Sequence, residues 1–199
     1  MRWWRQQRQR FATPSASSST APSILLEKCA TPFPALIGNE LSVTRPAVRI
    51  ELCPEAYEVI TSATADRLPV ETGGLLLGYR EDANVLVTHA LVIDGEGAST
   101  HRYVRDDVRA NALLAAFLTQ RADDDPTGYV GEWHSHPVPS GPSQTDVAAM
   151  HATAQTSDGP IALLVYAPGG ADPFFGLIVR RQRVGRVSSK KAAVVPPSS

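Results

Sequence analysis

The pattern of apolar and polar positions predicts alternating strands and helices between residues 46 and 181. Short apolar runs of strand length end in turn residues, whereas longer segments repeat their apolar positions at helical spacing. The predicted strands cover residues 47–52, 73–79, 85–93, 100–104, 129–136, 161–167 and 174–181. The predicted helices cover residues 54–66, 106–121 and 146–155.

Local detail supports several of these elements. The first predicted helix starts at Pro54, a residue favoured in the first helical turn. Residues 81–84, Glu-Asp-Ala-Asn, separate two apolar runs and predict a β-hairpin. One predicted buried helix face consists of Val108, Leu113, Leu114, Phe117 and Leu118, which approximate a spacing of 3.6 residues. The order of elements predicts an α/β sandwich whose helices lie outside a curved mixed sheet.

Size and composition predict one modest soluble domain. The chain has 199 residues and 43% hydrophobic content, enough for a sizeable core. It contains no apolar run of about 18 residues, so no membrane span is expected. Cys29 and Cys53 are too few and too far apart for a disulfide framework or a Cys-rich zinc module. We therefore expect a cytoplasmic protein.

Charge divides the chain into an acidic body and two basic ends. Residues 46–179 hold seven Lys/Arg and eighteen Asp/Glu, a net charge of −11. Such a body is poorly suited to a phosphate backbone, so nucleic acid is not an expected partner. Residues 1–45 are basic and rich in Ser and Pro, which predicts a disordered extension, a transit peptide or a start codon placed too early. Residues 182–199 are predicted to form a disordered basic tail.

The most informative stretch contains two histidines, a serine and an aspartate within thirteen residues. It consists of His-Ser-His-Pro at residues 134–137 and Ser-Gln-Thr-Asp at residues 143–146. On an extended segment, His134 and His136 project from the same face, because strand side chains alternate. These two imidazoles and the Asp146 carboxylate would fill three positions of a tetrahedral zinc site and leave the fourth open, as in catalytic zinc sites.

The same residues also fit an interpretation without metal. Ser143 and Asp146, three residues apart before a helix-like run, have the pattern of a capping box. Both interpretations can hold, since a residue in the first turn of a helix is well fixed for ligation. His89, His101 and His151 lack ligand spacing to a partner, so we expect packing or surface roles for them.

These residues resemble the signature of the JAMM (JAB/MPN) zinc metalloproteases, here a prokaryotic-type JAB domain protein. That signature is His-Ser/Thr-His-Pro, a short loop and Ser-x-x-Asp, with a glutamate from an earlier strand. Residues 71–78, Glu-Thr-Gly-Gly-Leu-Leu-Leu-Gly, are similar to the family's Glu-x-x-Gly-x-Leu-x-Gly segment. The resemblance covers roughly residues 47–181 and implies a cytidine deaminase-like sandwich. The loop from His136 to Ser143 has six residues, one fewer than is common in the family.

The resemblance implies a role for each residue of the motif. One zinc ion per chain would be held by His134, His136 and Asp146. Glu71 would be the general base that takes a proton from the zinc-bound water, and Ser143 would stabilise the oxyanion. Zinc lowers the pKa of its water to about 7 and polarises the scissile carbonyl, so an amide would be cleaved without a covalent intermediate.

Strand parity alone offers a second candidate for the base. Glu132 shares the parity of His134 and His136, and nothing local favours Glu71 over it. The resemblance favours Glu71. Glu132 is then either a partner that orients an imidazole or a solvated strand residue. Trp133 has the opposite parity and is predicted to pack in the core.

The resemblance implies hydrolysis of a peptide or isopeptide bond after the C-terminal tail of a ubiquitin-like protein, in deconjugation or precursor processing. An associated activating enzyme is an expected partner, and an extended tail could bind by strand addition. Two alternatives stay open. One is a RadC-like DNA-associated protein with a similar His-x-His-Pro and Ser-x-x-Asp pattern, which the acidic body disfavours. The other is a non-catalytic MPN scaffold, a role usually accompanied by loss of ligands.

Overall fold

In the part of the chain that the structure describes, seven strands close into a mixed barrel, and three helices pack against it. The computed structural model describes residues 48–93, 95–182 and 185–198. The strands are β1 (Arg49–Leu52), β2 (Gly73–Glu81), β3 (Asn84–Val92), β4 (Gly128–Ser135), β5 (Ile161–Tyr166), β6 (Phe174–Arg181) and β7 (Val187–Val195). The helices are α1 (Pro54–Arg67), α2 (Asp107–Thr119) and α3 (Gln144–Thr156). The extension predicted for residues 1–45 lies outside the described residues.

The strand order around the barrel is β1, β3, β2, β4, β5, β6, β7, and β7 pairs with β1. The pairs of β1 with β3, β1 with β7 and β4 with β5 are parallel, and the remaining pairs are antiparallel. The hairpin predicted around residues 81–84 is confirmed as β2 and β3. The predicted α/β class and mixed sheet are confirmed, whereas the described strands form a closed barrel and not the predicted sandwich.

The inner face of the barrel and α1 share one hydrophobic cluster. All seven strands contribute to it, and the Trp133 side chain in this cluster is fully buried, as predicted from parity. Ala56 and Ile60 of α1 lie one helical turn apart and are also fully buried in this cluster. The prediction that every helix lies outside the sheet is therefore wrong for α1, because its buried face packs against the inner side of the strands.

The other two helices cover the outer face, as predicted. Alternation along β2 directs Leu75 and Leu77 toward α2, while Leu76 points into the barrel. Alternation along β5 and β6 likewise presents apolar side chains to α3. In α2, Val108 is 82% exposed, so its predicted place on the buried face is wrong. It lies two residues before the buried Ala110, which places it about 200° away around the helix axis and so on the opposite face.

The segment at residues 100–104 is not a strand, contrary to the prediction. It contributes only an isolated bridge between Ser99 and Arg102. The Tyr103 hydroxyl donates a hydrogen bond to the Ile93 carbonyl, at 3.3 Å, and its ring faces the site described below. Tertiary contacts of its side chains hold this segment in place without a strand partner. A local sequence pattern does not reveal such contacts.

The predicted disorder of residues 182–199 is wrong for residues 187–195, which form β7. This strand pairs with β6 on one side and with β1 on the other, and so closes the barrel. Most of its side chains are exposed, and only Val187, Ala192 and Val194 are half-buried. No helix among the described residues is long and apolar enough to cross a membrane.

Candidate metal centre

The candidate site lies where β4 ends, beside the first turn of α3. Backbone hydrogen bonds hold this end of β4 on both sides. The Ser135 N–H donates to the Thr72 carbonyl at 2.7 Å, and the His136 N–H donates to the Tyr166 carbonyl at 2.9 Å. The Ser135 hydroxyl also accepts from the Thr72 N–H at 3.0 Å. The two histidines are therefore presented by a fixed backbone.

His134, His136 and Asp146 converge, and one ligand atom from each lies within 4.8 Å of the others. The Nε2 atoms of His134 and His136 are 3.1 Å apart. Oδ2 of Asp146 lies 3.5 Å from Nε2 of His134 and 3.8 Å from Nε2 of His136. Three atoms bound to one tetrahedral zinc ion at about 2.0–2.2 Å would be separated by roughly 3.3–3.5 Å.

The donor set fits a zinc ion chemically as well as by distance. Two imidazole nitrogens and one carboxylate oxygen are common zinc ligands. The His134 and His136 residues are only 5% and 8% exposed, and their Nε2 atoms lie 3.1 Å apart, away from most solvent. A cation bound by both nitrogens would have part of its charge offset by the Asp146 carboxylate. These three residues would hold the metal.

A contact with Ser140, which no sequence pattern predicted, orients the His136 ring. Nδ1 of His136 lies 2.8 Å from the Ser140 hydroxyl and 3.2 Å from the Ser140 carbonyl. The hydroxyl donates its own hydrogen to the Val138 carbonyl at 3.2 Å, so it accepts from His136. Nδ1 therefore carries the proton, and Nε2 presents a lone pair to the other candidate ligands.

Asp146 has two functions at the start of α3. Its Oδ2 accepts a hydrogen bond from the Ser143 N–H at 2.6 Å, and the Ser143 hydroxyl accepts from the Asp146 N–H at 3.2 Å. This is the predicted capping box. Burial raises the pKa of the Asp146 carboxyl, but the hydrogen bond and charge of His134 and the bonds from Ser143 outweigh it. The pKa is held well below its usual range, so the group is a carboxylate.

Glu71 precedes β2 and is 7% exposed. Burial raises the pKa of its carboxyl, and the nearby positive charges of His136 and His134 oppose this rise. The position of Glu71 beside the histidines depends on Gly73, because a Cβ at residue 73 would lie 2.8 Å from the His134 Cβ. The glycine thus permits the close approach of β2 and β4 that brings Glu71 near the histidines.

The Tyr103 ring lies parallel to the His134 ring and was not predicted to be part of the site. The ring centroids are 6.1 Å apart, and the planes differ by 7°. A backbone hydrogen bond from Tyr103 also lowers the pKa of the Glu71 carboxyl, against the larger effect of burial. The residue therefore contacts both the candidate ligand set and the candidate base.

Glu132 lies on the predicted face of β4, but its partners are not imidazoles. Among the described residues, its carboxylate accepts hydrogen bonds from the Arg105 guanidinium and, at 3.1 Å, from the Tyr129 hydroxyl. Burial and the charge of Glu132 raise the pKa of Tyr129 well above its usual range, so the phenol remains a donor. The structure therefore gives Glu132 an ion pair where a histidine contact or a solvated position was predicted.

The remaining histidines lie apart from the candidate ligand set. His89 packs edge-on against Phe117, with ring centroids 5.1 Å apart, and Nε2 of His89 lies 3.0 Å from the Arg121 guanidinium. His101 is exposed. A packing role for His89 and a surface position for His101 are thus confirmed. His151 on α3 is half-buried, and its Nε2 has no hydrogen-bond partner among the described residues.

The fold and the site define an α/β protein with a His-His-Asp cluster beside a buried glutamate. Residues 54–184 match the family of prokaryotic homologs of the JAB domain, and the chain belongs to this family. The chain is also similar to a protein from Desulfitobacterium hafniense whose solution structure is known, with 17% identity and a TM-score of 0.54. That match covers 75% of this chain and 94% of the other, and it supports the fold alone. No curated protein matches the chain.

Proposed function

We propose that this protein is a zinc-dependent metallopeptidase that hydrolyses a peptide or isopeptide bond after the C-terminal tail of a ubiquitin-like protein. The observation that carries the proposal is the convergence of two imidazole nitrogens and one carboxylate oxygen within 4.8 Å. Membership of the JAB family supports the proposal. The JAMM metalloproteases, which the sequence motif resembles, are hydrolases with this ligand set.

The residues around the candidate metal have separate roles in this proposal. His134, His136 and Asp146 hold the ion, and Glu71 accepts a proton from the attacking water and delivers it to the leaving amine. Zinc, when bound, supplies a Lewis acid that lowers the pKa of water and polarises the carbonyl. The raised pKa of Glu71 suits this role, because a base works best when its pKa lies near the working pH.

Ser143 is the proposed donor to the oxyanion. Its hydroxyl oxygen accepts from the Asp146 N–H, which uses a lone pair and leaves the hydroxyl hydrogen free to donate. The residue is exposed at the start of α3, where a substrate can reach it. A donor directed at the developing negative charge stabilises the transition state more than the ground state.

The proposed substrate is an extended C-terminal tail. The closed barrel pairs its strands with one another, so strand addition would use backbone outside the barrel, near the site. A ubiquitin-like protein or its conjugate is the proposed substrate, and an activating enzyme of the same pathway is a proposed partner. We place this pathway in the cytoplasm.

The direct test is incubation of the zinc-loaded chain with fusions of candidate ubiquitin-like tails, followed by mass measurement of the products. We expect cleavage directly after the tail, which the matched Glu71→Gln variant does not produce. A chain that contains one zinc ion and cleaves none of the tails would contradict the proposed substrate. A purified chain without metal affinity would support the scaffold alternative.

A further inference from the structure

Residues 99–106 form what we name the site-contacting segment. The Tyr103 ring in this segment stacks on His134, and a backbone hydrogen bond from Tyr103 reaches the Glu71 carboxylate. The Ser99 carbonyl accepts a hydrogen bond from the Glu71 N–H at 3.0 Å. The segment therefore contacts one candidate ligand and the proposed base at the same time.

Little regular structure holds this segment in place. Among the described residues, its β-type pairing is limited to the isolated bridge between Ser99 and Arg102, whose N–H···O distance is 2.9 Å. Fixing the backbone of a single residue costs about 1–2 kcal/mol of conformational entropy. An irregular segment of this length needs further contacts if Tyr103 is to keep its position against His134.

Arg105 supplies such a contact. Its guanidinium donates to the Glu132 carboxylate and also pairs with the Asp107 carboxylate at 2.7 Å. Glu132 lies on β4, two residues before His134, and its carboxylate also accepts a hydrogen bond from the Tyr129 hydroxyl. The Arg105 and Glu132 side chains are only 28% and 14% exposed, so solvent screens this pair less than a surface ion pair.

We propose that Arg105, through its ion pair with Glu132, is a positioning residue that holds Ser99 and Tyr103 against Glu71 and His134. The pair ties the site-contacting segment to the strand that presents the candidate ligands. Its effect on catalysis rests on the proposed function, but its effect on the segment does not.

The test is amide hydrogen exchange on the metal-free, full-length chain. In Arg105→Gln, we expect the Glu71 and Ser99 amides to exchange at least about tenfold faster, because the carbonyls that they contact belong to a loosened segment. Amides of β5 should keep their wild-type rates. Arg105→Lys, which retains the charge, should restore part of the protection.

Asp107→Asn is the matched control, because it removes the charge of the more exposed partner of Arg105 and leaves Glu132 in place. In this variant, the Glu71 and Ser99 amides should exchange hydrogen at wild-type rates. If Arg105→Gln does not fold, Glu132→Gln takes its place. The glutamine oxygen can still accept a hydrogen bond from the Tyr129 hydroxyl, but the ion pair with Arg105 is lost. Unchanged exchange in the folded variant, or an equal effect of Asp107→Asn, would overturn the proposal.

A kinetic measurement separates this inference from the proposed function. In an active zinc-loaded enzyme, Arg105→Gln should lower kcat about tenfold, with an unchanged zinc content and a smaller change in KM. A wild-type chain that neither binds zinc nor hydrolyses a tail would refute the proposed function. The exchange rates would still decide whether Arg105 positions the segment.

Discussion

At the scale of single residues, the site depends on contacts that fix the candidate ligands before any metal binds. His136 illustrates this, because its ring uses Nδ1 for Ser140 and leaves Nε2 for the shared centre. Asp146 is fixed in the same way by the capping box. Orientation of this kind reduces the entropy lost on binding, so the supporting residues should affect metal affinity without touching the metal.

The first prediction concerns the Ser140 contact. Ser140→Ala should weaken zinc binding by about 10–100-fold, because His136 loses the nearer of the two Ser140 acceptors that fix its protonated nitrogen. Competition with a chelator of known affinity measures this change. Ser189→Ala is the control, because Ser189 is exposed on β7, and its affinity should be unchanged. Equal affinities of both variants and the wild type would show that the contact is not needed.

The second prediction separates the two candidate bases. Glu71→Gln should retain one zinc ion per chain and lose about 10²–10⁴-fold in kcat, because the amide cannot accept the proton. Glu132→Gln should cost much less, since its carboxylate is already paired with Arg105. Zinc analysis and single-turnover kinetics on both variants give the comparison. If Glu132→Gln shows the larger loss at full zinc content, Glu71 is not the base.

The ligand and base candidates could be predicted because a short motif contains them. Parity predicted that His134 and His136 project together with Glu132, and the Nε2 atoms of the two histidines lie 3.1 Å apart at the end of β4. The partners of these residues could not be predicted, because Tyr103 and Arg105 reach the site from a segment without regular structure. Contacts between residues so distant in the chain depend on the folded packing and leave no local periodicity.

At the scale of elements, apolar periodicity predicted the strands and helices with buried faces, and it failed for β7. The strand exposes most of its side chains, including Lys190 and Lys191. It forms because β6 and β1 both offer backbone partners to it. Backbone pairing does not depend strongly on side-chain type, so an exposed strand between two others does not need the apolar periodicity of a buried face.

The third prediction tests the contribution of β7. A chain that ends at Arg181 loses the strand between β6 and β1 and leaves two sheet edges unpaired. We expect a stability loss of about 3 kcal/mol or more, which lowers the Tm by roughly 10 °C. Thermal unfolding followed by circular dichroism measures it. A chain that ends at Val195 should melt like the full chain, and equal midpoints for both truncations would contradict a closing role for β7.

At the scale of the whole molecule, charge is distributed unevenly. Residues 46–179 have a net charge of −11, whereas residues 180–199 contain six Lys/Arg and no acid. Four of these six, Arg180, Arg181, Lys190 and Lys191, lie on the end of β6 and on β7, in the barrel wall, whereas the candidate metal centre lies at the end of β4. A nucleic acid that reached the centre would have to approach an acidic body, which is unfavourable because binding rests on contacts between phosphates and basic side chains.

The fourth prediction follows from this distribution and tests the DNA-associated alternative. At 0.15 M salt, the full chain should bind a 20-base-pair duplex no more tightly than about 10⁻⁴ M, the weak end of non-specific binding. Any binding at lower salt should weaken in the double variant Lys190→Gln/Lys191→Gln and after removal of residues 1–45, because these changes remove positive charge. Fluorescence anisotropy across a salt series gives the affinity and its salt slope. Micromolar binding at 0.15 M salt that survives both changes would require a phosphate-binding surface on the acidic body. The negative charge of that body would then no longer argue against the DNA-associated alternative.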